Sequence, residues 1–194
     1  MAVVALLRHG ITRWNLERRI QGSRDEPLSD VGKARLSGLC LPRPYDLWPA
    51  FVSPLRRAGE TAALLDIAAK VEPRLREMNW GRYEGALLDE LEAGGGDFAI
   101  NSARGLDFRP PEGESPREVQ SRALLFLAEV AGRNESAVAV SHKGVIRALL
   151  AAAHDWPMLG KAPVKLKWDC LQVFPLRADG WPLPGTYNIP LARQ

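Results

Sequence analysis

Two unbroken apolar runs constrain this chain more than any other feature. The first is Val3-Val4-Ala5-Leu6-Leu7, followed by Arg8-His9-Gly10, and the second is Ala137-Val138-Ala139-Val140, followed by Ser141-His142. Short runs rich in β-branched residues, without polar alternation, read as strands buried on both faces, which belong in a parallel sheet covered by helices. Each run leads into a histidine. In open α/β sheets the carboxyl ends of the strands face the ligand crevice, so two such strands can deliver both imidazoles to one pocket.

The length of 194 residues fits one domain, 1–194, large enough to bury roughly 70% of its unfolded surface. Hydrophobic residues at 46% and charged residues at 25% are ordinary globular values. No apolar run approaches the roughly 20 residues needed to cross a bilayer, so no membrane partner is expected. The N-terminus enters a strand directly, without the basic start, apolar middle and small-residue cleavage site of a secretory signal, so a soluble, cytoplasmic protein is expected. Cys40 and Cys170 are too few for a disulfide framework and are expected to be buried free thiols. Charge is uneven: residues 1–82 carry 14 Lys+Arg against 9 Asp+Glu, and residues 83–194 carry 12 against 14. The arginine excess suits a small anionic ligand; nucleic acid is not expected, because no block of like charge or basic–aromatic stripe is present.

Along the chain, Gly10 opens an arginine-studded loop that runs to Gln21-Gly22. Ser29 is placed to cap a helix through Val31, Ala34, Leu36 and Leu39, closed by Pro42 and Pro44. Ala50–Ser53 reads as a strand, and Pro54 sits where the next helix, Leu55–Ala69, begins. The unpaired N–H groups at the start of that helix attract anions. Val71–Glu77 reads as extended. From Asn79 to Glu114, Gly94-Gly95-Gly96, Gly105, Pro110-Pro111 and Gly113 break regular structure around a short helix at Ala86–Glu92, and such a stretch inside a compact domain reads as a lid, about 79–114. Ser115 and Glu118 form a capping-box pattern before a helix reaching Val130. A helix from Gly144 to Ala153 and a last, edge-type strand at Leu171–Phe174 complete the pattern.

An arginine followed by a histidine at a strand end is a useful pair for phosphoryl transfer. A neutral imidazole nitrogen attacks phosphorus, and guanidinium forks hold phosphate oxygens. Four segments carry a resemblance to a known family. Leu6 to Asn15, LLRHGITRWN, resembles the signature of the histidine phosphatase superfamily, in its phosphoglycerate-mutase-like branch. Ser53 to Ala62, SPLRRAGETA, is similar to its S-x-L-x-R-A-x-x-T-A segment. Glu77 with MNWGRYEG is similar to its acid-bearing segment, and Ser141 to Arg147, SHKGVIR, to its second histidine motif.

The resemblance implies an α/β fold of phosphoglycerate-mutase-like type: a three-layer α/β/α sandwich with a mostly parallel central sheet and helices on both faces. It implies a phosphomonoesterase acting on a small-molecule phosphate ester without metal or other cofactor. His9 is then the nucleophile that becomes phosphohistidine, Arg8, Arg57 and His142 complete the phosphate pocket, and Asn15 with the Gln21-Gly22 turn adds contacts. Glu77 is the matched proton donor, and for that it carries its proton when the ester binds. Glu84, of the E-G pair, is its structural competitor. Arg56, about 100° around the helix from Arg57, is expected to face solvent. His154 matches no motif and reads as structural.

Three departures bear on substrate. Lys143 stands where the family commonly has glycine, and either adds a cation beside the pocket or points to solvent, the latter being expected. Gln21 stands where the mutases commonly have threonine. The chain also lacks the extra segments with which longer mutases retain a bisphosphate. The alternatives are a phosphoglycerate-type mutase, an α-ribazole-phosphate phosphatase and a non-catalytic phosphate-binding module. Trp14, Trp80, Tyr83 and Phe108 are each expected in the core, with a wall for a ring-bearing group as the other reading. The oligomeric state is left open, a homodimer included.

Overall fold

The two apolar runs form the central strands of the sheet. The computed structural model describes residues 1–96 and 98–194 in full. Strand β1 (Val3–Arg8) lies parallel to β5 (Ala137–Ser141), with Arg8 opposite Ser141. Parallel to β5 on its other side runs β3 (Ala50–Val52), followed by β4 (Ala69–Val71). On the far side of β1, β6 (Cys170–Pro175) and β7 (Ile189–Pro190) pair antiparallel, so the sheet order is β4-β3-β5-β1-β6-β7. A separate two-residue ladder joins β2 (Leu39–Cys40) to β8 (Ala192–Arg193).

Both faces of the sheet are covered, which is why its strands lack polar alternation. Val4, Leu6, Ala137, Ala139 and Phe174 point into one core, which they share with α6 (Pro116–Gly132) and α7 (Lys143–Ala153). Ala5, Leu7, Val138, Val140 and Val173 point into the other, with α2 (Asp30–Leu36) and α3 (Arg56–Leu64). The result is a three-layer α/β/α sandwich with a mostly parallel sheet. Ser29 caps α2 by accepting from Gly32 N, and Ser115 with Glu118 closes a full capping box on α6, as their sequence spacing predicts.

Several boundaries differ from expectation. Helix α2 stops at Leu36 because Gly38 (φ +71°) turns the chain, and Leu39 joins β2. Helix α3 stops at Leu64, not Ala69: Asp66 takes a left-handed turn (φ +55°) that returns the chain to pair β4 with β3. The Val71–Glu77 segment is extended only at its start, and Pro73–Leu75 forms a 3₁₀ turn capped by Glu72. The loop after Gly10 contains one helical turn, α1 (Arg13–Leu16), capped by Thr12. The 79–114 segment holds the short helix expected near Ala86–Glu92, here α4 (Leu88–Ala93), and a second one, α5 (Gly96–Ser102), that the neighbouring glycines mask in the sequence. Strand β6 is not an edge, since β7 covers it. Cys170 is buried but Cys40 only half-buried; both are free thiols.

Candidate active site

Three adjacent parallel strands, β3, β5 and β1, end side by side, and the residues immediately after them are Ser53, His142 and His9. Backbone bonds continue the ladder past the strands: Ser53 N donates to Val140 O at 3.0 Å, and His9 N to Ser141 O at 2.9 Å. The two imidazoles therefore meet, with ring centroids 5.1 Å apart and planes inclined at 54°. Both rings are buried, at 5% exposure for His9 and 0% for His142.

The hydrogen bonds around His9 fix its orientation. Its Nδ1 lies 2.7 Å from the carbonyl oxygen of Gly10, which can only accept, so the ring proton sits on Nδ1 and the lone pair on Nε2. Burial, then the charges of Arg8 and Arg57, hold its pKa well below 6.5. His142 is held low by burial, then by Arg57, His9 and Arg8. A buried, neutral imidazole with an available lone pair is chemically a nucleophile.

Arg57, the second residue of α3, is fully buried and does two jobs. Its Nη1 donates to Arg24 O at 2.6 Å and Nη2 to Gly22 O at 2.8 Å, pinning the Gln21–Arg24 turn against the helix. Its Nε has no partner. Among the described residues, the buried side-chain nitrogens and oxygens without a hydrogen-bond partner are three: Arg8 Nε, Arg57 Nε and His142 Nδ1. Buried polar groups are nearly always satisfied, so three orphans on the residues that neighbour His9 mark a place built for an external acceptor.

Glu77 enters from the segment after the Pro73–Leu75 turn. Arg122 of α6 grips that segment through Arg74 O (2.6 Å) and Glu77 O (3.2 Å). The carboxylate accepts from its neighbour Met78 N at 2.8 Å and from Gly144 N, in the first turn of α7, at 3.2 Å. A Cβ on Gly144 would lie 2.3 Å from Glu77 Oε1, so only glycine lets the helix approach the carboxylate this closely. Glu84 is committed elsewhere: its Oε1 accepts from Ser23 N, Ser23 Oγ and Trp80 N.

These groups open onto a cleft of about 650 Å³. Arg8, His9, Asn15, Gln21, Gly22, Arg57, Glu77 and Lys143 all line it, while His142 lies beneath the surface against His9. Asn15 Oδ1 is engaged in capping Thr12 N, and Gln21 Oε1 accepts from Thr12 Oγ1. Lys143, expected to point to solvent, is exposed yet lines the cleft, with Nζ 5.7 Å from the Trp168 ring; the Arg8 guanidinium lies 5.7 Å from the same ring. Burial and the Arg8 charge lower the Lys143 pKa. Arg56 faces solvent, paired to Glu60, and His154 Nε2 is bonded to the Tyr187 hydroxyl, both as expected.

Sequence reasoning missed several lining groups. Arg147 lies one turn after Lys143 on α7, at the end of the second histidine motif, and i, i+4 spacing was the available signal. Phe98 and Met158 line the cleft without any sequence signal. Trp80 and Phe108 serve in both anticipated ways, packing in the core and walling the cleft; Tyr83 packs against the core only. Among the described residues no group of three or more His, Cys, Asp or Glu side chains is placed to hold a metal, and no helix is long and apolar enough to cross a membrane.

A parallel α/β sheet that presents paired histidines, buried guanidinium groups and one carboxylate at its carboxyl edge defines an enzyme of phosphoric ester chemistry. The chain belongs to the histidine phosphatase superfamily (branch 1), whose family model matches residues 4–188. A 2,3-bisphosphoglycerate-dependent phosphoglycerate mutase of Methylobacterium radiotolerans is 34% identical over 192 residues, covering 91% of this chain and 91% of the relative. A glucosyl-3-phosphoglycerate phosphatase of Mycolicibacterium vanbaalenii is 31% identical over 179 residues, 81% of this chain and 78% of the relative. Among solved structures, a mycobacterial glucosyl-3-phosphoglycerate phosphatase in complex with VO3 superposes with a TM-score of 0.74 at 25% identity, covering 97% of this chain and 100% of that one. A phosphoglycerate mutase from Thermus thermophilus superposes with a TM-score of 0.65 at 37% identity, covering 82% and 89%.

Proposed function

We propose that the chain hydrolyses a small phosphomonoester through a phosphohistidine on His9. The observation that carries this reading is the set of three buried, unpartnered nitrogens on Arg8, Arg57 and His142, the residues that neighbour the His9 imidazole. His9 Nε2 attacks phosphorus, forming the N–P bond as the ester P–O bond breaks. Arg8, Arg57 and His142 stabilise the charge that develops on the phosphoryl oxygens. Glu77 gives its proton to the leaving alcohol, then takes one from the water that cleaves the N–P bond. Guanidinium groups supply the positive charge, so the scheme uses no metal.

The leaving group lies against two features of the cleft. Lys143 and Arg147 form no ion pair among the described residues, in contrast to Arg18 and Arg19 of the same cleft, which pair with Asp89 and Glu17. Trp80, Phe98 and Phe108 form an apolar wall. An alcohol carrying an anionic group matches this lining, in keeping with relatives named for phosphoglycerates. We place the reaction in the cytoplasm, where the free thiols Cys40 and Cys170 stay reduced.

The second reading is a mutase, favoured by the name of the 34% identical relative. The two separate in ¹⁸O-labelled water with a panel of phosphomonoesters, with and without a second anionic group. Hydrolysis predicts free phosphate carrying one solvent oxygen, fastest from esters with the second anion. A phosphate that moves to another hydroxyl without solvent oxygen would make the chain a mutase. No turnover of any ester would leave a phosphate-binding module.

A further inference from the structure

Among the described residues, Ser53 is the one side chain hydrogen-bonded to His142, and its role follows from counting protons. Its Oγ lies 2.6 Å from His142 Nε2 and accepts from Leu55 N at 3.3 Å; Ser53 is 2% exposed. A hydroxyl has one proton and two lone pairs. With one lone pair taken by Leu55 N–H, His142 Nε2 is the acceptor within reach of the hydroxyl proton. The opposite polarity, with Nε2–H donating, would leave both a buried hydroxyl proton and a bare, buried Nδ1 lone pair without partners.

We propose that Ser53 is a positioning residue that holds His142 as the neutral Nδ1–H tautomer, so that its unpartnered Nδ1–H donates to a phosphoryl oxygen. The proposal rests on the reading of the cleft as a phosphoryl site. The chain of donors runs Leu55 N–H to Ser53 Oγ, Ser53 O–H to His142 Nε2, and His142 Nδ1–H to the phosphoryl group. His9 carries its proton on the same ring atom but presents the opposite face: the Gly10 carbonyl occupies its N–H and leaves the Nε2 lone pair free. Two adjacent imidazoles of one tautomer thus serve as attacking lone pair and as neutral donor, because different partners cover them. A neutral donor also suits the surroundings, since burial and the nearby Arg57 and Arg8 disfavour a second proton on His142. Wrong-tautomer imidazoles fail even where the geometry survives.

The test is ¹⁵N-resolved NMR of His142 in the orthovanadate-bound protein from about pH 5.5 to 8. A protonated Nδ1 beside an unprotonated Nε2 throughout is the expected result; a protonated Nε2, alone or with Nδ1, would overturn the proposal. Ser53→Val and Ser53→Thr, of equal size, isolate the hydroxyl. Ser53→Val should lose roughly 10- to 100-fold in kcat/KM while still trapping phosphohistidine, and Ser53→Thr should recover most of it. Equal kcat/KM in the two variants would also overturn it. If the wild type neither binds vanadate nor forms phosphohistidine, the phosphoryl-site reading falls and carries this inference with it. If it does both and His142 shows another proton pattern, this inference alone falls.

Discussion

Arg57 is the largest fully buried side chain in the protein, and its guanidinium is the fastener between α3 and the Gln21–Arg24 turn. Arg57→Met should therefore damage two properties at once. Each backbone carbonyl left unpaired in the interior costs about 1–3 kcal/mol, read as a lower urea midpoint, and losing a donor to the transition state should cost roughly 100-fold or more in kcat. Full activity at reduced stability would confine Arg57 to the fastener role. Glu77→Gln retains the shape but not the proton: kcat/KM, which reports the ester-cleaving step alone, should fall about 10²- to 10⁴-fold on alkyl phosphates and far less on nitrophenyl phosphate, whose leaving group needs no acid. An equal loss on both esters would contradict the assignment. Glu77 and Glu84 are alike by composition, and what separates them is spatial: Glu84 is spent on Ser23 and Trp80, while Glu77 faces the cleft. Motif resemblance could rank them; residue chemistry could not.

The strand–histidine units were legible because burial on both faces keeps β1 and β5 apolar up to their last residues, Arg8 and Ser141, so the pattern changes abruptly where the site begins. The capped helices were legible for an equally local reason, a hydroxyl three residues before an orphan N–H. Strand β4 was not, because Leu64–Ala69 continues the apolar rhythm of α3 and only a left-handed Asp66 breaks it. Two-residue strands such as β2, β7 and β8 carry too few side chains to show any period. The anchoring of the 79–114 segment was hidden as well, since Glu84 ties residues 80–84 to Ser23 across some sixty positions. A Cβ on Gly22 would meet Glu84 Oε1 at 2.1 Å, so that junction is close-packed. Glu84→Ala should raise hydrogen exchange in residues 79–93 and leave the β1 and β5 amides unchanged. Unchanged exchange in that segment would show that Glu84 is not its tether.

Taken as a whole, the protein concentrates cations over two neutral histidines, and this makes its stability depend on pH. His9 and His142 have folded pKa values below the unfolded value of 6.5, so the unfolded chain binds more protons as pH falls through that value. Their contribution is complete above about pH 6.5 and is lost on acidification, at about 1.4 kcal/mol per pH unit for each imidazole. Urea midpoints from pH 7.5 down to about 5 should fall with that slope, and His142→Gln should flatten it by the share of one imidazole. A stability that rises as pH falls through this range would mean that these rings are charged in the folded protein. Beneath all these expectations lies covalent chemistry on one atom. Wild-type protein and His9→Ala should be mixed with a turned-over ester, quenched in base within milliseconds and mapped by mass spectrometry. One acid-labile phosphate is expected, on His9 of the wild type, and none in the variant. Phosphate on any other residue, or equal turnover by His9→Ala, would contradict it.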